Sequence, residues 1–229
     1  MSSFEYVQTI SFRRLVIYLV IFGVFLTAGV SAQETSTSGG GGQSTATSLS
    51  GFGGIAWKTG FTSVKEHLKN LSLSENSEEK VEILNVVLND YILVKRNDIF
   101  YRYNFYKTPI EVERINNHNI TEEEYDQKEA LFYHVKVTTS LLDALMVKKK
   151  LESIFGAPTK SLINTDMTGA EVWELSGGFI FQWQEPLKKK GYTRTIDYLG
   201  QEITQEIMKE YEDFFDAREL YILKKLQLN

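Results

Sequence analysis

The chain has 229 residues, 42% of them hydrophobic and 13% aromatic, which is enough to bury one sizeable core in a single domain. Its formal charge of −5 is spread over both signs, so it lacks the concentrated basic face that phosphate binding needs, and nucleic acid is not an expected partner. There is no cysteine, which excludes disulfides, thiolate metal sites, cysteine nucleophiles and lipid attached to a cysteine.

Arg13 and Arg14 precede an apolar run from Leu15 to Val30, and Val30-Ser31-Ala32 places small residues at the last and third-last positions of a cleavage site. A positive start, an apolar middle and a small-residue end read as a secretory signal over residues 1–32. The run exceeds the usual apolar core of about 7 to 15 residues and falls short of the roughly 20 of a spanning helix, so a retained membrane anchor is the alternative. Either way the bulk of the protein leaves the cytoplasm, and periplasmic localisation is expected, with no stable membrane span once the signal is cleaved. Cleavage removes Arg13, Arg14 and Glu5, taking the net charge from −5 to −6. Residues 33–54, almost all Ser, Thr, Gly, Ala and Gln, cannot offset their ordering entropy by burial and are expected to form a flexible tether.

The globular domain is then expected over 55–229, in the α+β class: an antiparallel sheet with helices packed on one face and a long C-terminal helix. Ser63 and Glu66 have capping-box spacing, predicting a helix from Val64 to about Leu71. Strands follow at Val81–Leu88, Tyr91–Lys95 and Ile99–Lys107, separated by Asn89-Asp90 and Asn97-Asp98 where tight turns are needed. Thr121 before Glu122, Glu123 and Glu124 predicts one capped helical turn, and Ala130–Thr138 alternates as a strand. A helix over Leu141–Phe155, capped by Ser140 and Asp143 and stopped by Gly156 and Pro158, comes next.

The aromatic-rich stretch Val172–Trp183 is read as a β-hairpin. A three-residue loop Ser176-Gly177-Gly178 pairs Leu175 with Phe179, Trp173 with Phe181 and Glu171 with Trp183, gathering the large apolar groups on one face; a Gly-Gly loop would scatter them over both. After a strand at Tyr192–Tyr198, a helix is expected from Gly200 to the C-terminus, carrying Ile203, Ile207, Tyr211, Phe214, Arg218, Ile222 and Leu226 near one side and extending on the order of 40 Å. Each half shows a helix followed by a meander, without a residue-level repeat.

Chemistry is hard to find. Gly-x-Ser-x-Gly, helix-start Ser-x-x-Lys and His-Glu-x-x-His motifs are absent. His67, His118 and His134 lie in a helix, a loop and a strand; His134 is expected to face solvent or hold a hydrogen bond. Asn164–Gly169 opens like a calcium loop, but Leu175 stands where the bidentate Glu belongs, so a polar turn is expected. The runs Lys148–Lys150 and Lys188–Lys190 would form a local basic patch if the fold brought them together. No catalytic residue, cofactor or metal is expected. The candidate partner surface is Tyr101, Tyr103, Phe105, Tyr211, Phe214, Phe215 and Tyr221, although strands carry aromatics for packing anyway.

The Cys-free signal, the Gly/Ser tether and a domain containing Ile55-x-Trp57-x-Thr59, Phe155-Gly-Ala-Pro158, Glu171-Val-Trp-Glu-Leu175 and Phe214-Phe-Asp-Ala-Arg-Glu-Leu220 resemble exported proteins of spirochaetes. Among these, the chain is similar in character to the non-catalytic proteins that coat the periplasmic flagellar filament, such as the flagellar coiling proteins. The resemblance implies a structural protein of the periplasm with protein partners in the cell envelope, the flagellar filament among them. It transfers no functional residue. Two other readings stay open from the residues alone: a module binding a small ligand or envelope polymer through strand aromatics, and a hydrolase whose carboxylates or histidines only the fold would gather.

Overall fold

The computed structural model describes residues 48–76 and 78–227. The expected signal segment, residues 1–32, and the expected tether through residue 47 lie outside the described residues. Two short strands, β1 (Gly51–Phe52) and β2 (Ile55–Ala56), lead into helix α1 (Phe61–Ser72). Then come β3 (Glu82–Val87), β4 (Tyr91–Arg96) and β5 (Ile99–Tyr106), two surface helices α2 (Ile110–Asn116) and α3 (Glu122–Gln127), and β6 (Leu131–Asp143). Helix α4 (Ala144–Phe155) opens a second series, β7 (Lys160–Ile163), β8 (Gly169–Leu175), β9 (Gly178–Leu187) and β10 (Lys190–Gly200). The chain finishes with α5 (Gln201–Glu210), a 3₁₀ turn (Glu212–Phe214) and α6 (Ala217–Lys225).

The eight long strands make one antiparallel sheet in the order β3-β4-β5-β6-β10-β9-β8-β7. The α+β class with an antiparallel sheet is as expected. Read from either edge inwards, the sheet is a four-strand meander preceded by a helix, and the two meanders meet where β6 pairs β10, Val137 opposite Ile196 and Val135 opposite Tyr198. The repeat is one of plan: α1 leads β3–β6 as α4 leads β7–β10.

Helices cover both faces, which corrects the expectation of one. On the first face the cross-strand row Ile92, Tyr103, Val135, Tyr198, Ile180 and Trp173 lies under α1 and α4, which contribute Phe61, Val64, Leu68, Val147, Leu151 and Phe155 to the same core. On the second face Phe179, Phe181, Trp183, Val172 and Leu199 lie under α5 and α6 through Ile203, Ile207, Ile222 and Leu223.

Two-sided burial explains why the hairpin register differs from the expected one. Leu175 pairs Gly178, Trp173 pairs Ile180 and Val172 pairs Phe181, so the loop is Ser176-Gly177, with Gly177 at φ 84°. Trp173 therefore faces α4 while Phe179, Phe181 and Trp183 face α5 and α6. Gathering apolar groups on one face discriminates between registers only when the other face meets water, and here both are dry. Gly178 sits in the strand instead, where an added Cβ would lie 2.7 Å from the Leu199 carbonyl oxygen.

The N-terminal boundary also moves. Leu49 and Phe52 are buried, the Leu49 N–H donates to the Ser176 carbonyl at 2.8 Å, and the Trp57 indole donates to the Leu49 carbonyl at 2.8 Å. The end of the presumed tether, from Ser48, is thus part of the domain, and the hairpin loop is what it packs on. Helix α1 begins at Phe61 behind Gly60, without a side-chain cap, so Ser63 is not its start signal. The turns at Asn89 and Asn97 are as expected, both residues being left-handed at φ 56° and 54°. Thr121 and Glu124 close the expected capping box on α3. Helix α4 starts at Asp143, whose carboxylate accepts from Leu145 and Met146, because Ser140–Leu142 continue β6.

The long C-terminal helix is replaced by two short ones. Tyr211 at φ −158° ends α5, and Asp216 with Glu219 forms a capping box that restarts the chain as α6. Asp-x-x-Glu is a start signal that competes with helix continuation, and breaking there lets α6 turn back onto the sheet.

Candidate functional site

The densest buried chemistry lies on the second face, between the centre of the sheet and α6. A bulge in β6 creates it. Asn104 pairs His134 but Phe105 pairs Phe132, leaving Tyr133 as the extra residue, so Tyr133 and His134 both point towards α5 and α6. His134 is 3% exposed and Asp197, from β10, is 0% exposed.

His134 Nε2 lies 3.1 Å from Asp197 Oδ1, and the Trp183 indole donates to Asp197 Oδ2 at 2.5 Å. On the other side of the ring, Asn104 Nδ2 lies 3.1 Å from His134 Nδ1 and also donates to the Arg102 carbonyl at 3.2 Å. The carbonyl fixes this nitrogen as a donor, so Nδ1 accepts and the ring carries its proton on Nε2, donating it to Asp197. Lys136, a strand neighbour opposite Asp197, donates to Glu219 Oε1 at 3.1 Å and reaches Asp216 at 4.0 Å, both on α6. Arg218 lies 4.8 Å above the Trp183 ring. Sheet and helix are stitched by charge as well as by apolar contact.

Burial pushes the Asp197 carboxyl up, but the adjoining His134 ring, the Lys136 ammonium and the indole N–H outweigh it and hold the group below the ordinary carboxylate value. Burial likewise pulls Lys136 down, and Asp197 and Glu219 more than offset it, raising the ammonium above its ordinary value.

His134, Asp197 and Glu219 bring ligand-type atoms within 4.8 Å of one another, which is the spacing of a metal site. The surroundings do not fit a cation. Lys136 already supplies the positive charge to Glu219, Trp183 occupies one Asp197 oxygen, and a metal on Nε2 would force a proton onto Nδ1, towards the Asn104 donor. Nor does the set assemble a nucleophile and base: the imidazole nitrogen not used by Asp197 meets an amide. The arrangement can orient and neutralise buried groups, and what it holds in place is α6.

Of the sequence-predicted partner residues, Tyr101, Tyr103 and Phe105 face the first core at 4%, 5% and 2% exposure, packed against Phe52, Phe61 and Phe132, and Phe215 is buried under α6. These four cannot present a surface, and burial pushes the Tyr101 hydroxyl up to about 12. Tyr211, Phe214 and Tyr221 are exposed near the α5–α6 corner, where Phe214 rests on Tyr106 and Tyr133. Trp173 and Trp183 are core residues. His67 lies on α1, and the His118 ring lies 2.9 Å from the Arg114 carbonyl at the end of α2. Asn164–Gly169 is a polar turn held by Asp166 and Thr168. Lys148 pairs Glu171 at 2.8 Å while Lys188 and Lys189 form the β9–β10 turn and Lys190 opens β10.

Sequence reasoning missed a different surface. On the second face, α5 and α6 stop over β6, β10, β9 and β8; the β3–β5 half is open. Val87 and Phe100 are exposed there, with half-buried Tyr91 and Leu93 between them, Arg102 over the Tyr91 ring at 4.0 Å and Lys95 over the Phe100 ring at 5.9 Å. At its margin the edge strand β3 exposes Leu84 (42%), Val86 and Val87, and Leu88 beyond it is 76% exposed. An open depression of about 390 Å³ lies elsewhere, lined by Ser50, Trp57, Lys58 and the start of α5. Among the described residues no helix is long and apolar enough to cross a membrane. Comparison with protein-family models, curated proteins and solved structures found no match.

Proposed function

We propose that the protein is a non-enzymatic interaction protein, exported to the periplasm, that binds protein partners of the cell envelope. One observation carries this reading: half of one sheet face and the whole β3 edge stay uncovered, with Leu84, Val86, Val87, Leu88 and Phe100 exposed. Val87 and Phe100 lie on the open face while Val86, opposite Ile92, lies on the other, so the exposed apolar groups follow the edge rather than one face, and an unpaired apolar strand edge is a template for pairing. The sealing of His134 and Asp197, with each ring nitrogen and carboxylate oxygen engaged by a protein group, supports a holding role for the polar cluster. Tyr101, Tyr103 and Phe105, the strand aromatics expected of a small-ligand platform, are core residues, which favours the interaction reading over that alternative. A flagellar filament sheath as the site of action rests on the sequence resemblance alone.

The test is affinity recovery from solubilised envelopes of the source cell, with the full chain as bait. The expected result is a defined partner whose recovery falls when Leu84 and Phe100 are both changed to Ser. Recovery unaffected by those substitutions, or no partner in envelopes and filaments alike, would refute the reading.

A further inference from the structure

We infer that β3 receives an extended segment of a partner protein as a ninth, antiparallel strand, and that the segment reads as a short run of uncharged β-forming residues followed by Lys or Arg. The inference rests on the interaction reading above and names the chemistry of its partner.

Strand β3 is the sheet edge bonded to β4 alone, and Ile83 to Leu88 reads Ile-Leu-Asn-Val-Val-Leu, six residues without charge or proline. Natural edges are commonly blunted by lysine, proline, shortness or cover. The opposite edge shows this: β7 has four residues, its Lys160 pairs Glu174 at 3.2 Å and also donates to the Lys225 carbonyl at the end of α6, and its Leu162 packs into the second core. β3 is longer, uncovered and apolar. A bulge at Leu84 interrupts it once, and the Val86 N–H donates to Asn85 Oδ1 at 2.9 Å, a side-chain carbonyl acting as an incoming strand's main-chain carbonyl would.

Charge selects the occupant. The approach to β3 carries Glu75, Glu78, Glu79 and Glu82 against Lys80, with Lys95 of β4 opposite Glu82; all four glutamates are exposed, and no salt bridge involves any of them among the described residues. A second copy pairing antiparallel about Asn85 would set Lys80 against Asp90 of its twin and Glu82 against Leu88, leaving Glu78 and Glu79 without a cation opposite them. A foreign strand with a basic end meets opposite charge. Every pairing in the large sheet is antiparallel, and antiparallel addition lays the C-terminal end of the incoming segment beside the glutamates, which sets the order of the motif.

The probe is a labelled peptide, acetyl-Thr-Val-Thr-Ile-Thr-Val-Lys-Arg-amide, titrated into the full chain, beside the same peptide ending Glu-Glu. Saturable binding, at least tenfold weaker for the acidic peptide and at least tenfold weaker for the Glu78→Lys/Glu79→Lys protein, is expected. These substitutions are on the surface and leave folding intact, which thermal melts verify, and Asn85→Ala should tighten binding by freeing the Val86 N–H. Equal affinity for the two peptides, or indifference to the charge reversal, would overturn the inference. So would a wild-type dimer in sedimentation that Val86→Pro dissociates, since the edge would then belong to a second copy. Envelope partners recovered equally by wild type and charge-reversed protein would overturn the edge assignment while leaving the interaction reading intact; peptide binding without any envelope partner would do the reverse.

Discussion

The two four-strand halves share a plan and differ in cover. In the second half β8–β10 lie between α4 on one face and α5 with α6 on the other, and both faces are aromatic and dry. The first half has α1 on one face; on its other face β6 lies under α6, and β3 and β4 with the start of β5 meet solvent, their aromatic rings lying under arginine and lysine. The halves thus divide the work: one carries the stability of the sheet, and the other keeps a surface that a fully buried strand cannot offer. The His134–Asp197 cluster sits at the seam, where α6 stops covering the sheet.

The largest expected effect contrasts matched phenylalanines. Phe181→Ala, at a fully buried position under α5 and α6, should cost about 3 to 5 kcal/mol in urea unfolding. Phe100→Ala, on the open face, should stay within about 0.5 kcal/mol. Equal losses would mean that the halves are equally packed.

Next is the seam. Asp197→Ala strands the His134 and Trp183 N–H groups and should cost about 3 kcal/mol. Because the folded carboxyl titrates below its ordinary value of 3.8, its contribution is complete above that pH and disappears as the pH falls through the still lower folded value. Acid unfolding curves of wild type and Asp197→Asn should therefore converge below about pH 3.8, and a gap that widens on acidification would contradict the ionised assignment. A smaller effect is expected at the α6 cap: Glu219→Ala loses the capping box and the Lys136 pair, about 1 to 2 kcal/mol, visible as faster amide exchange in α6 than in α5.

Much of this architecture is legible in local sequence. The β3–β5 meander follows from alternation and from Asn89 and Asn97 in left-handed turns, and α4 from its cap and Gly156. What escapes is decided by tertiary cover. The Val172–Trp183 register depends on whether its second face is wet, and Tyr101, Tyr103 and Phe105 look alike whether they pack under α1 or await a partner. The break between α5 and α6 was within reach, since Asp216-Ala-Arg-Glu219 is a start signal inside an otherwise continuous helical pattern. The seam cluster was not, because the β6 bulge at Tyr133 that turns His134 inwards has no local mark.

The central claim is that partners meet the open half. With no native cysteine, single cysteines at Val87, Phe100 and Tyr221 can each carry a benzophenone maleimide and be photolysed with solubilised envelopes. The account predicts a common covalent adduct from Val87 and Phe100 and none from Tyr221. Adducts from Tyr221 alone would place the partner at the α5–α6 corner and contradict it.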